Sequence, residues 1–306
     1  DILAEVNVRQ TRLEAMLKVL DVEGAVERSD GGWLRTLAPW RYDADRVERV
    51  TAVRRAEQAA MLQYVASDTC LMAFLRRELD DPEALPCGRC GSCAGQWWEA
   101  EVPADELARA REWIRSSELV IEPRRRWTRG VPGLPSTVIP AEVQLSQGRS
   151  LSVYDDGGWG SLVRRAKYGA TSFPDELVQA AARLVGAWAP DPAPQWVTCV
   201  PSANHPHLVA DLARRLAGSL ALPFREVVRR VRPGSPQKEM ENSVQQLRNV
   251  HGAFSVSAEP PLPAGPVLLV DDIHDSRWTL TVVGAELRTA GSGPVYPFTL
   301  AKALST

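Results

Sequence analysis

Nowhere in the 306 residues is there a G-x-x-x-x-G-K-[ST] loop, so the chain should not hydrolyse ATP by itself. Long apolar runs are also missing. The longest fall far short of the about 18 residues a membrane span requires, so no membrane partner is expected. The first residues, DILAEVNVRQTRLEA, are charged and amphipathic and do not read as a secretory leader. They begin in mid-pattern, as a piece of a longer protein would. Charge of either sign is not in excess: the net value of -2 excludes a globally basic molecule, and any nucleic-acid surface must be local. No internal repeat is apparent. Cysteine is scarce, with five residues, but four of them cluster. That pattern argues for a metal site in a reducing cytoplasm rather than for disulfides.

What is present is ordinary globular material, 44% hydrophobic and 24% charged, long enough for two or three domains. Four regions are expected. In 1–38, Leu13, Met16, Leu17 and Leu20 recur at helical spacing, Gly24 ends the helix, and AVER and WLRT flank a Ser29-Asp30-Gly31-Gly32 turn. A helix followed by a two-stranded wing predicts the second half of a winged helix. Residues 39–99 form a helical module that closes on the cysteines. Residues 100–148 hold a helix near 104–116, then a strand and a Pro-rich connection that marks a boundary. From 149 to 306 strands alternate with helices, which predicts an α/β domain with a mainly parallel sheet. Ligands of such sheets lie at the carboxyl ends of the strands.

Cys70, Cys87, Cys90 and Cys93 are spaced C-x16-C-x2-C-x2-C, the last three in the glycine turns of CGRCGSC. Thiolates so spaced can converge on one tetrahedral zinc, and four protein ligands leave no open position, so the metal is expected to be structural. Cys199 stands alone in an apolar strand and reads as a small core residue. MLQYVASDTCLMAFLRREL followed by CGRCGSC resembles the zinc-binding subdomain of RecQ-type DNA helicases, through Met61, Tyr64, Cys70, Phe74, Leu75 and the last three cysteines. The resemblance implies a subdomain that packs on a helicase motor and supports DNA binding. That motor would lie N-terminal to these residues.

Two segments carry local positive charge. Arg9, Gln10 and Arg12 lie near a helix start and Arg35 on the second wing strand, where they could reach a groove or phosphates. Arg124, Arg125, Arg126 and Arg129 surround Trp127, a pattern that can grip a single-stranded backbone and stack a base. A solvated charge run beside a linker has the same composition, and the sequence does not separate the two.

An acidic pair, Asp271-Asp272, stands where the apolar strand PVLLV runs out, and HDSRWT follows. The stretch PVLLVDDIHDSRWT resembles the phosphoribosyl pyrophosphate signature of type I phosphoribosyltransferases, and residues 149–306 are most similar to their ComF-like members. VYDDGGWGSLVRRAKY resembles the entry segment, and KEMENSVQQLRNVHGAF, with Lys238, the flexible segment. The resemblance implies that Asp271 and Asp272 meet ribose hydroxyls, with magnesium a candidate there. It also implies that Asp275, Ser276, Arg277 and Thr279 form a turn donating N–H groups to a phosphate. Two departures stand out. Arg277 takes the place of the usual glycine, and Asp275 puts a carboxylate where a dianion would sit. After Pro201 there is no Arg or Lys before Arg214 to balance a leaving pyrophosphate.

Together the two resemblances point to the carboxy-terminal accessory part of a RecQ-like, ATP-dependent DNA helicase of the RqlH type. The family translocates 3′-to-5′. DNA and the motor are the expected partners, and a transferase-like cleft is expected to hold a phosphate-bearing ligand, or nothing, without transfer. An active nucleotide phosphoribosyltransferase and a protein-interaction tail are the competing readings.

Overall fold

The computed structural model describes residues 2–95, 101–134, 137–202, 204–257, 259 and 261–304, with Lys238 as backbone only. In chain order the helices are α1 (Ile2–Glu5), α2 (Gln10–Val22), α3 (Ala44–Ala66), α4 (Leu71–Glu78), α5 (Gly91–Ala94), α6 (Ala104–Ser116), α7 (Gly160–Gly169), α8 (Asp175–Trp188), α9 (Leu208–Ser219), α10 (Ser243–Val250) and α11 (Trp278–Thr289). The strands are β1 (Val26–Ser29), β2 (Gly32–Arg35), β3 (Leu119–Ile121), β4 (Gly148–Val153), β5 (Trp196–Cys199), β6 (Val228–Arg230), β7 (Phe254–Val256), β8 (Val267–His274) and β9 (Val295–Lys302).

The chain divides into two compact units, Asp1–Glu14 with Ala108–Thr306, and Ala15–Leu107. In the larger unit the central sheet has the order β3-β4-β9-β8-β5. The β4–β9, β9–β8 and β8–β5 pairs are parallel, and β3 is an antiparallel edge. Alternate residues of β8 enter two cores. Leu268 and Val270 pack with α7, α8 and α9; Val267 and Leu269 pack with α10 and α11. Sheets covered on both faces by helices have this pattern. One strand of this alternating region, β6, stays out of the main sheet and pairs antiparallel with β7.

β8 also runs further than the sequence suggests. Its parallel register with β9 continues through Asp271↔Thr299 to His274↔Lys302, so the acidic pair lies within the strand and not at its end. Polar residues can stay in a strand when the neighbouring strand satisfies their backbone groups.

The helix and hairpin expected in 1–38 are both present, with Ser29 paired to Gly32 across an Asp30-Gly31 turn. A winged-helix arrangement is not confirmed, and residues 1–14 belong with the α/β unit. The physical reason is a set of hydrogen bonds to the start of α10. Asn242, the N-cap of α10, accepts from Val244 N and Gln245 N and donates to Val6 O and Val8 O, each at 3.1 Å. Gln245 Nε2 reaches Ala4 O at 2.8 Å, and Asn7 Oδ1 accepts from Glu241 N at 2.8 Å.

The smaller unit has little apolar core. Its buried cluster consists of Cys70, Ala73 and Ala84, with Cys87 and Cys90 packed against it. Its long helix α3 begins with Asp43 accepting from Arg46 N and has no buried residue.

Candidate functional site

Asp271, of the acidic pair, lines a cleft of about 410 Å³. Its wall includes Tyr154, Lys167, Ser202, Asp271, the turn 275–277 and the start of α11. Lys167 is delivered by α7, whose first turn is fixed by Asp156. That carboxylate accepts from Gly158 N at 2.9 Å, Gly160 N at 2.8 Å and Val153 N at 3.0 Å. Only glycine fits at Gly160, because a Cβ there would lie 1.9 Å from Val153 O.

The two acids differ in surroundings. Asp272 is buried and ion-paired with Lys167 Nζ at 3.0 Å. Asp271 is held well above its ordinary pKa by burial and by the charge of Asp272, which Lys167 partly offsets. Each also accepts a hydrogen bond from the next backbone N–H, Asp272 N at 2.9 Å and Ile273 N at 2.7 Å. The pair is therefore already partly satisfied within the protein.

The turn after β8 is equally occupied. Arg277 adopts φ 68° and ψ 4°, the left-handed conformation that glycine would take, and forms the N-cap of α11. Its Nη1 donates to Glu122 O at 2.9 Å. Ser276 O accepts from Arg124 Nε at 2.7 Å, and the Arg124 guanidinium lies 3.7 Å from the centre of the Trp278 ring. Trp278 is fully buried, stacks on Trp127 with ring centres 6.0 Å apart, and donates from Nε1 to Ser243 Oγ at 2.8 Å. Thr279 lines the acidic cleft and Asp275 is exposed at its mouth. The Lys238 side chain lies outside the described residues.

His274 was not singled out by sequence and is the most constrained polar group nearby. It is 5% exposed and contacts Thr299 Oγ1 through Nδ1 at 2.8 Å. Thr299 Oγ1 donates onward to Ser150 Oγ at 3.0 Å, which in turn donates to Ser152 O. The chain of donors fixes Nδ1 as the protonated nitrogen and leaves Nε2 an acceptor. Burial, helped by Lys302 and Arg277, lowers its pKa to about 4, so the ring is neutral. Lys167 and Arg230, which lines a recess beside Val200, Pro201 and Ser202, were likewise missed. Both stand far from the motif in sequence, and only the fold brings them near it.

The remaining basic residues divide by role. Arg9 Nε pairs with Glu241 at 2.8 Å, and Gln10 Nε2 donates to Glu14 at 2.9 Å. Arg12, Arg35, Arg125, Arg126 and Arg129 are exposed. Arg124 and Trp127, expected to face a nucleic-acid strand, are instead engaged with the turn and with Trp278.

In the smaller unit the sulfurs of Cys70, Cys87, Cys90 and Cys93 all lie within 4.8 Å of one another. Backbone donors point at them: Ala73 N and Cys87 N at Cys70 Sγ, 3.4 and 3.2 Å, and Cys90 N at Cys87 Sγ, 3.3 Å. The bonds from Ala73 and Cys87 lower the Cys70 pKa and favour the thiolate. A zinc tetrahedron with Zn–S of about 2.3 Å has sulfur edges of about 3.8 Å, so four such sulfurs could hold a metal such as zinc. Cys199, by contrast, is buried in β5 with its pKa raised to about 12 by burial, as a core thiol should be.

No protein-family model and no curated protein sequence matches this chain. Among solved structures the chain is similar to an adenine phosphoribosyltransferase, at 15% identity and a TM-score of 0.32, over 64% of this chain and 89% of that one. It is also similar to adenine phosphoribosyl transferase from Trypanosoma brucei in complex with AMP, pyrophosphate and ribose-5-phosphate. That likeness has 11% identity and a TM-score of 0.30, over 67% of this chain and 82% of that one.

Proposed function

We propose that this chain is the accessory, DNA-binding part of a RecQ-like DNA helicase, and that its phosphoribosyltransferase-like part does not transfer. The observation that carries the second half is the state of the acidic cleft. Asp272 is held by Lys167, and the turn that would admit a phosphate carries Arg277 tied to Glu122 O. A transferase needs those acids and that turn open to its substrate.

The helicase half rests on the resemblance of the cysteine segment, and two features support it. The four cysteine sulfurs suit one structural zinc, which would cross-link a module whose buried cluster otherwise consists, among the described residues, of Ala73 and Ala84. Helix α3 buries none of its residues, yet exposes Val47, Val50, Val53, Met61, Leu62 and Val65. Exposed apolar side chains in this number suit a motor domain packing on them.

The test is turnover. The chain, given phosphoribosyl pyrophosphate, magnesium and a panel of nucleobases, should release no pyrophosphate above a protein-free control. Release that disappears on Asp272→Asn would replace this reading with that of a nucleotide phosphoribosyltransferase.

A further inference from the structure

Residues 3–9 lie along α10, and polar side chains of that helix hold them there. Asn242, Gln245 and Arg248 stand three positions apart and so form one row on the helix. Each donates to backbone carbonyls of this segment: Asn242 to Val6 O and Val8 O, Gln245 to Leu3 O and Ala4 O, and Arg248 to Ala4 O. The segment adds ties of its own. Asn7 donates from Nδ2 to Glu239 O and accepts at Oδ1 from Glu241 N, each at 2.8 Å, and Arg9 pairs with Glu241.

The neighbouring row of α10, Gln246 and Asn249, holds the loop 234–240. Asn249 Nδ2 donates to Ser235 O at 2.8 Å and to Gln237 Oε1 at 2.7 Å. Gln246 Nε2 donates to Met240 O at 3.0 Å, and Gln246 O accepts from Gln237 Nε2 at 2.9 Å. Through Pro236 and Gln237 this loop is a wall of the acidic cleft.

Burial anchors little of either segment. Ala4 is the one buried residue of 2–9, and none of the described side chains of 234–240 is buried. Hydrogen bonds open to water contribute little each, so such contacts form and break without disturbing a core. The helix between them is different, because Val244, Leu247 and Val250 fix it to the core beneath. A fixed helix thus presents one polar row to each lightly held segment, and Asn7 joins the two segments directly.

We propose that residues 3–9 are a strap that keeps the loop 234–240 in place as a wall of the acidic cleft, so that lifting the strap opens the cleft on that side. The inference does not depend on what the cleft binds or on whether it transfers.

The experiment is amide hydrogen exchange on the full chain without ligand, comparing the parent with Asn7→Ala and Gln245→Ala. The reporting amides are those of Glu239 and Met240, which donate to the wall residues at Pro236 O and Gln237 O. Gln245 has no hydrogen bond to the loop among the described residues, so its variant reaches the loop through the strap. Exchange at both amides should rise about tenfold or more in Asn7→Ala and in the same direction in Gln245→Ala, while the amides of β8 and β9 stay as slow as in the parent. Trypsin should also cut after Lys238 sooner in both variants. Unchanged exchange at Glu239 and Met240 overturns the proposal. A rise in Asn7→Ala alone also overturns it, as the loss of one local contact. So does a rise that includes β8 and β9 in both variants, because residues 3–9 would then support the whole fold rather than the loop.

Discussion

Arg277 shows how a single residue can look like an error in a motif and still be well placed. Its backbone does what a glycine would do, and its side chain reaches Glu122 O. That reach was not legible in sequence, because Glu122 is 155 positions away. Asp271 and His274 lend themselves to titration. His274 has its pKa lowered from 6.5 to about 4, so the unfolded chain binds a proton before the folded one as pH falls. Its contribution is full above pH 6.5 and is lost on acidifying towards pH 4. The loss should be roughly 3 kcal/mol. Denaturant unfolding of the parent and of His274→Gln between those limits checks this, and parallel curves would contradict it. Asp271 has the opposite sign. Its raised pKa gives stability at low pH that is lost as pH rises through that value, so Asp271→Asn should raise the unfolding midpoint at neutral pH. A lowered midpoint there would show that the carboxylate is needed for folding.

At the scale of elements, local pattern was a good guide and long-range pairing was not. The helix expected near 104–116 is α6, Ala104–Ser116, and the helix-hairpin of the first residues formed as expected. Strand β3 joined the main sheet as an antiparallel edge, and β6 left it for β7, since partner choice depends on contacts far apart in sequence. The cysteine module was the most legible element, because its chemistry is written in spacing alone. One zinc per chain is expected by elemental analysis after gel filtration. Cys70→Ser should lose the metal and the protease resistance of residues 15–107, while the α/β unit keeps its own; a metal-free parent would refute the assignment. The group around Trp278 was not legible at all. Trp127 read as a base-stacking residue, yet it stacks on a buried tryptophan. Trp278→Ala should cost the α/β unit roughly 3–5 kcal/mol, measured by urea unfolding.

For the whole molecule, the α/β architecture followed from alternating strands and helices, but the division of the chain did not. Nothing in the composition of 1–14 announces that Val6, Val8 and Ala4 dock on α10. The arginine run at 124–129 is divided by separate contacts. With Arg124 and Trp127 engaged internally, Arg125, Arg126 and Arg129 are the exposed part of that run. Replacing these three with Ala should weaken single-stranded DNA binding and flatten the slope of log affinity against log salt by about two. An unchanged slope would move DNA binding elsewhere, and no DNA binding by the parent would favour a protein-interaction role.

Whether the acidic cleft has given up its substrate decides between an accessory domain and a transferase. The direct measurement is a calorimetric titration of phosphoribosyl pyrophosphate into the full chain, with and without magnesium. No magnesium-dependent binding in the micromolar range is expected. Micromolar binding that requires magnesium and vanishes in Asp271→Asn and Asp272→Asn would contradict it.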